Sequence, residues 1–146
     1  MTEWLPQLEG TWEIKGTTFP MWLSNKRKNP RITYKKTEKN AVELLDLVEH
    51  EAKGKTKQIK GIDRLAGEQF IWRGIGVLKV LSSRWQVVTI KGDVLVIRFE
   101  KSLLTPAGVD VLIRKGTNVP NLRKRVLIHY ESFGLTLKES NELQWR

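Results

Sequence analysis

The sequence predicts a mainly β fold in which eight antiparallel strands form a sandwich or close into a barrel, with one α-helix near the C-terminus packed on them. Three observations point there. From residue 11 to residue 115 the apolar residues come in short runs with period-two alternation. Turn-forming residues interrupt those runs at intervals of about eight to twelve positions, the cadence of an all-β domain. Beyond residue 115 the apolar period lengthens to that of a helix.

The strands expected from this pattern are Thr11–Thr18, Arg31–Lys39, Ala41–Lys53, Lys55–Arg64, Gln69–Gly74, Arg84–Ile90, Asp93–Glu100 and Val109–Arg114. Two hairpins are well marked, because Ala52-Lys53-Gly54-Lys55 and Lys91-Gly92-Asp93 each supply the glycine that a tight turn needs for positive φ. Consecutive strands should therefore pair up and down, and eight are enough to close a barrel. The first connection, Phe19 to Pro30, is long for a strand link, and long ordered loops serve as lids or binding loops. Gly74-Ile75-Gly76 opens like a phosphate-binding glycine motif, but Lys79 stands where the third glycine belongs and no helix pattern follows, so it reads as a bend. Pro120 suits a helix first turn and Gly134 a left-handed stop; between them Leu122, Val126, Tyr130 and Phe133 make one apolar face on a helix of about four turns. The tail Leu143-Gln144-Trp145 reads as a short additional strand.

The length of 146 residues fits one domain, 1–146, with a real core. Without cysteine there is no disulfide framework, thiolate metal site or thiol nucleophile, and stability must come from packing. Residues Met1 to Gly10 lack the features of a secretory leader, and a cytoplasmic location is expected. The formal charge of +10 would draw the chain weakly toward anionic membranes at low salt. Its basic residues, clustered mainly at Lys26, Arg27, Lys28 and Arg31 and at Arg123, Lys124 and Arg125, accompany no nucleic-acid motif, so specific nucleic-acid binding is not expected. The two histidines, His50 and His129, lie in different elements without metal-ligand spacing. No catalytic residue, metal or cofactor is expected, and the chain should be a monomer or weak homodimer.

Leu8 followed by Gly10-Thr11-Trp12 at the head of the first strand resembles the G-x-W signature of the lipocalins. The last strand, Val109-Asp110-Val111-Leu112-Ile113-Arg114, ends in an arginine just before the helix, which is similar to the family's third signature. Gly134-Leu135-Thr136 and Leu143-Gln144-Trp145 look like the tail of bacterial lipocalins. The middle signature departs, since Ile90-Lys91-Gly92-Asp93 stands where the family carries Thr-Asp-Tyr. The chain thus resembles an outlying, bacterial-type lipocalin or lipocalin-like calycin. The likeness implies an eight-stranded antiparallel up-and-down β-barrel with one C-terminal α-helix packed on its outside. Gly10, Trp12 and Arg114 would be its structural signature, with the Arg114 guanidinium over the Trp12 indole at the closed end.

In such a barrel alternate residues face inward. Parity then places Ile32 and Tyr34, Phe70 and Trp72, and Trp85, Val87 and Thr89 inside, so that Tyr34, Phe70, Trp72 and Trp85 wall an apolar cup and Trp22 forms its lid. The opposing reading is a barrel packed solid with its own aromatics. The third strand is ambiguous, because Leu44, Asp46, Val48 and His50 share one face and Glu43, Leu45, Leu47, Glu49 and Glu51 the other. Arg98, beside Val94 and Val96, is the candidate cation for clamping a ligand carboxylate. The leading expectation is binding, storage or transport of a small hydrophobic or amphipathic molecule such as a lipid or fatty acid by Trp22, Tyr34, Phe70, Trp72, Trp85 and Arg98. Two alternatives stand beside it. One is an isomerase- or cyclase-type enzyme on the same barrel, which needs Asp46, His50 and Arg98 together inside. The other is a basic module for anionic membranes or nucleic acid, whose affinity should fall steeply with salt.

Overall fold

A computed structural model describes residues 4–39, 42–103 and 105–146. Eight strands run β1 (Gly10–Thr17), β2 (Lys28–Lys36), β3 (Glu43–Ala52), β4 (Lys55–Ala66), β5 (Gln69–Gly74), β6 (Ser82–Lys91), β7 (Val94–Phe99) and β8 (Gly108–Arg114). Each pairs antiparallel with the next, and β1 pairs with both β8 and β2, so the sheet closes into an up-and-down barrel. A short β9 (Gln144–Trp145) adds to Gly16 and Thr17 of β1. The two glycine hairpins lie where the sequence puts them. Ala41, the expected start of the third strand, lies outside the described residues.

A one-turn helix, α1 (Leu5–Leu8), precedes β1 and plugs one end of the barrel. The Trp12 indole N–H donates to the Leu8 carbonyl at 2.8 Å, and the Arg114 guanidinium lies 4.2 Å from the Trp12 ring centroid. Arg114 also donates to the carbonyls of Gln7 and Glu9. Gly10 is glycine for two reasons: its φ is +120°, and a Cβ there would stand 2.9 Å from an Arg114 nitrogen. The G-x-W signature is therefore physical, with glycine giving room to the arginine that covers the tryptophan.

On the C-terminal side, α2 (Leu122–Ile128) is two turns long rather than four. A 3-10 turn, Tyr130–Phe133, and the left-handed Gly134 follow it, and then α3 (Leu137–Glu142). The apolar period gives no sign of α3, although Thr136-Leu137-Lys138-Glu139 carries a capping box in which the Thr136 hydroxyl accepts from the Glu139 N–H and Glu139 accepts from the Thr136 N–H.

These helices cover β7 and β8, whose outer residues Val94, Val96, Val109, Val111 and Ile113 form a second core with Leu122, Val126, Phe133, Leu135 and Leu143. The first core fills the barrel, from Leu8 and Trp12 at the plug to Ile32, Leu44, Leu95, Ile97 and Leu112. Strands buried on both faces lose their alternation and read as continuous apolar runs. The sequence names Arg98 as a candidate ligand contact with its facing open and puts Thr89 inside by parity; the structure places both outside. In β7 Leu95, Ile97 and Phe99 face inward, so Arg98 points out. In β6 a register shift between Val87 and Thr89 reverses the side chains beyond it. Thr89 accordingly lies outside, donating to the Phe133 carbonyl at 2.7 Å.

Candidate functional site: an aromatic-walled cup with buried carboxyls

The interior divides into a filled half and an open half. In the filled half Trp85 is the shared member of a ring stack, with centroids 5.2 Å from Tyr34 and 4.7 Å from Phe70 and both pairs nearly parallel. Trp4, at the head of α1, meets Phe70 edge-on at 6.0 Å. Phe70 and Trp85 are thus buried floor residues and do not wall the cavity. Above them a cavity of about 280 Å³ opens toward the end opposite the plug, lined by Phe19, Trp22, Ile32, Tyr34, Trp72 and Phe99 among others. That is near the lower limit of small-molecule sites, roughly 300 Å³. For scale, an engineered apolar cavity of about 150 Å³ accepts benzene.

Each wall follows from local structure. Ile32 and Tyr34 alternate inward along β2, and Phe70 and Trp72 along β5, as expected. Trp72 crosses the sheet over Gly61 on β4, where a Cβ would collide with the indole nitrogen. The long first connection folds into a 3-10 turn, Pro20–Trp22, that places Phe19, Met21 and Trp22 over the cavity. Trp22 is buried and meets the His50 ring at 5.8 Å. The tail holds this lid from outside: the Arg146 N–H donates to the Lys15 carbonyl at 2.8 Å, and its guanidinium donates to the carbonyls of Trp22 and Arg27.

The polar lining of the cup includes the hydroxyl residues Ser83, Ser102 and Thr105 and two aspartates, so its charged content is acidic. Asp46 of β3 and Asp110 of β8 line the cavity, 5% and 2% exposed, and Asp63 of β4 is fully buried beside the ring stack. Register explains the grouping, because Asp46 stands directly opposite Tyr34 and Gly61, and Asp110 opposite Thr17. The Trp85 indole donates to one Asp63 oxygen at 2.9 Å. Among the described residues, Asp46 Oδ1, Asp63 Oδ2 and Asp110 Oδ1 have no hydrogen-bond partner.

Burial away from water disfavours the charged form of each group. It pushes Asp110 up to about 7, with the Thr17 hydroxyl opposing. Asp46 rises to about 6, chiefly through burial. Asp63 goes well above the carboxylate range, through burial and then the proximity of Asp46, with the Trp85 N–H opposing. The Tyr34 hydroxyl is pushed up by its own burial and by all three aspartates.

The expected cation is elsewhere. Arg98 pairs with Glu139 of α3 through two nitrogens, each at 2.7 Å, and donates to the Gly134 carbonyl at 2.9 Å. It straps the C-terminal helices to the barrel and reaches no part of the cavity. Asp46, His50 and Arg98, which the enzyme alternative needs together, are respectively inside the cup, at its rim and outside the barrel. Glu49 and Glu51 face outward against Arg31, at 3.7 and 2.6 Å.

Sequence reasoning missed Asp63 and did not single out Asp110. The signal was present for two of the three aspartates, since Asp46 and Asp110 each stand alone among apolar residues, in Leu44-Leu45-Asp46-Leu47-Val48 and Val109-Asp110-Val111-Leu112, whereas Asp63 is followed by Arg64 and reads as a surface residue. A charge in a run buried on both faces has only the barrel interior or a helix to meet.

A closed eight-stranded antiparallel barrel with an N-terminal plug, a Trp–Arg contact at the closed end and C-terminal helices laid on the outside is the lipocalin-like calycin fold. Among solved structures, the chain is similar to the siderocalin Ex-FABP, described as functioning "through dual ligand specificities", at 10% identity with 91% of each chain covered and a TM-score of 0.61. That likeness is one of fold. No protein-family model matches the sequence, and no curated protein matches it.

Proposed function

We propose that this protein reversibly binds, and so stores or carries, one small and mainly apolar molecule in the barrel cup. The observation that carries the reading is the apolar-walled cavity of about 280 Å³, left open above a floor that fully packed rings already close. Burying a ring-sized body there removes roughly 100–200 Å² of ligand surface from water and contributes about 3–5 kcal/mol at 25 cal/mol per Å². The lid residues Phe19 and Trp22 add aromatic contact at the mouth. A barrel that does not depend on disulfides suits a reducing compartment such as the cytoplasm.

A long-chain fatty acid is a poor fit. Its carboxylate would enter a space lined by two carboxyls with a third behind them, and Arg98 is engaged outside. The test is titration with the neutral fluorescent probe N-phenyl-1-naphthylamine. A saturable rise in probe emission with energy transfer from tryptophan, reversed by excess of an unlabelled arene, supports the reading. No saturable response, in a protein whose near-ultraviolet circular dichroism shows ordered tryptophans, refutes it.

A further inference from the structure

Burying an ion without a partner is costly, so unpartnered buried carboxyl oxygens on residues that line a cavity state what the cavity lacks. Asp46 and Asp110 both line the cup and each presents an oxygen with no partner among the described residues; Asp63 stands behind them with another. No lysine or arginine is among the described lining residues. Arg31, Arg64, Arg98 and Arg114, which approach the barrel wall, are all engaged with carboxylates on the outside. Nor does any group of three histidine, aspartate or glutamate side chains among the described residues converge as metal ligands do.

The remaining walls are mostly apolar and include the rings of Trp22, Tyr34 and Trp72, surfaces that attract an organic cation. A primary ammonium supplies three N–H donors and a secondary one two, and the unpartnered carboxyl oxygens can accept from them. From these observations we infer that the cup selects protonated primary or secondary amines bearing a compact apolar body of about one or two rings, the ammonium meeting Asp46 and Asp110 and the body lying among Trp22, Tyr34 and Trp72. This rests on the reading of the cup as a ligand site and adds the chemical class of the ligand.

The groups facing the ammonium position from the surrounding strands are Tyr34 on β2, Asp46 and, at the rim, His50 on β3, Asp63 on β4, and Asp110 beside Thr17 of β1. The aspartates are held partly protonated near neutrality when the cup holds no cation. A bound ammonium favours their charged forms, so binding expels protons to solvent and strengthens as pH rises. The +10 surface charge opposes approach from a distance, but it is screened within about 8 Å at physiological ionic strength, whereas the buried contacts are not.

Isothermal titration of the intact chain with phenylbutylamine, phenylbutanol and phenylbutyrate, which share one skeleton and differ in head group, tests this directly. At about pH 8 the amine should bind at least about tenfold tighter than the alcohol, the effect of one charge-assisted hydrogen bond, and the carboxylate weakest. At about pH 5 the amine's advantage should shrink to less than about threefold, and paired buffers of different ionisation enthalpy should report proton release on amine binding near neutrality. Asp110→Asn and Asp46→Asn, each nearly isosteric, should lower the ratio of amine to alcohol affinity at about pH 8 by at least about fivefold, whatever they do to both affinities together. If the alcohol or N-phenyl-1-naphthylamine binds and the amine is no tighter at either pH, the amine inference is overturned while the apolar cup stands. If phenylbutyrate binds best, it is overturned as well. If nothing binds, the neutral probe included, both readings fall together.

Discussion

The carboxyl of Asp110 makes the stability of the unliganded protein depend on pH in an unusual sense. Its pKa is about 7 in the fold and 3.8 for an ordinary, solvated aspartate. Between those values the native state holds a proton that the unfolded chain has lost, so unfolding free energy falls as pH rises. The protonated group's contribution is fully present below about pH 4 and is lost as pH passes through about 7. A displacement of about three pKa units at 1.36 kcal/mol per unit is on the order of 4 kcal/mol, and full burial leaves little solvent to screen it. Asp110→Asn keeps the shape, retains a group able to meet the Thr17 hydroxyl and removes the titration. The gap in unfolding free energy between this variant and the natural chain should therefore widen by about 4 kcal/mol from pH 4 to pH 8, equivalent to roughly 8–16 °C in Tm for a chain of this size. Urea titrations followed by tryptophan emission at several pH values measure this, and taking the difference cancels the changing net charge that both proteins share. Parallel curves would mean that Asp110 is solvated or ion-paired, which would remove a premise of the amine inference as well.

Arg98→Ala should cost about 1–3 kcal/mol in urea unfolding, since it breaks a two-pronged, partly exposed pair with Glu139 and frees the Gly134 carbonyl. It should leave probe affinity unchanged, and a large loss of affinity would return Arg98 to the cup. Trp85→Ala removes the shared member of the ring stack and leaves Asp63 without its donor; a loss of about 3–5 kcal/mol is expected, read by thermal melting. Gly61→Ala drives a methyl group into the Trp72 indole, so it should destabilise by about 1–3 kcal/mol and shift the near-ultraviolet tryptophan signal. An unchanged spectrum would show that Trp72 does not lie across β4. Removing residues 144–146 should leave the barrel folded but speed probe dissociation in stopped flow, because the ties from Arg146 to Lys15, Trp22 and Arg27 are gone.

The barrel was legible because most of its strands bury one face only, and β2 and β5 display that alternation plainly in Arg31-Ile32-Thr33-Tyr34-Lys35 and Gln69-Phe70-Ile71-Trp72-Arg73. Val94-Leu95-Val96-Ile97 hides its parity because the helices bury the other side too, so the sequence leaves open which way Arg98 faces. Thr89 was misassigned through one extra residue, which leaves no mark in an apolar run such as Val87-Val88. The aromatic walls on β2 and β5 were readable from parity, yet whether each ring filled the floor or faced the opening depended on how Tyr34, Phe70 and Trp85 stack, a matter of three strands at once. Asp46 was seen but not placed, since Leu44 and Leu45 put a leucine on each face of β3.

The three aspartates are buried where the charged form of each is disfavoured. Each carries a penalty that grows as pH rises toward neutrality, and no described side chain neutralises them. Asp46 and Asp63 share a hydrogen bond and Asp110 meets the Thr17 hydroxyl, but none has a cation beside it, as Glu43 has Arg64 and Glu139 has Arg98 on the outside of the same wall. The chain has ten more basic than acidic residues, so cations for such pairing are abundant, yet the described lining of the cup includes none. This distribution separates two demands on one molecule: a basic exterior that carries charge at little cost in water, and an acidic interior whose penalty is relieved only when a cation enters. A ligand that relieves it stabilises the native state through its own binding free energy and through the charge it neutralises. Thermal stabilisation by an amine at saturating concentration should therefore exceed that by the matched alcohol most at alkaline pH, and the two should converge in acid.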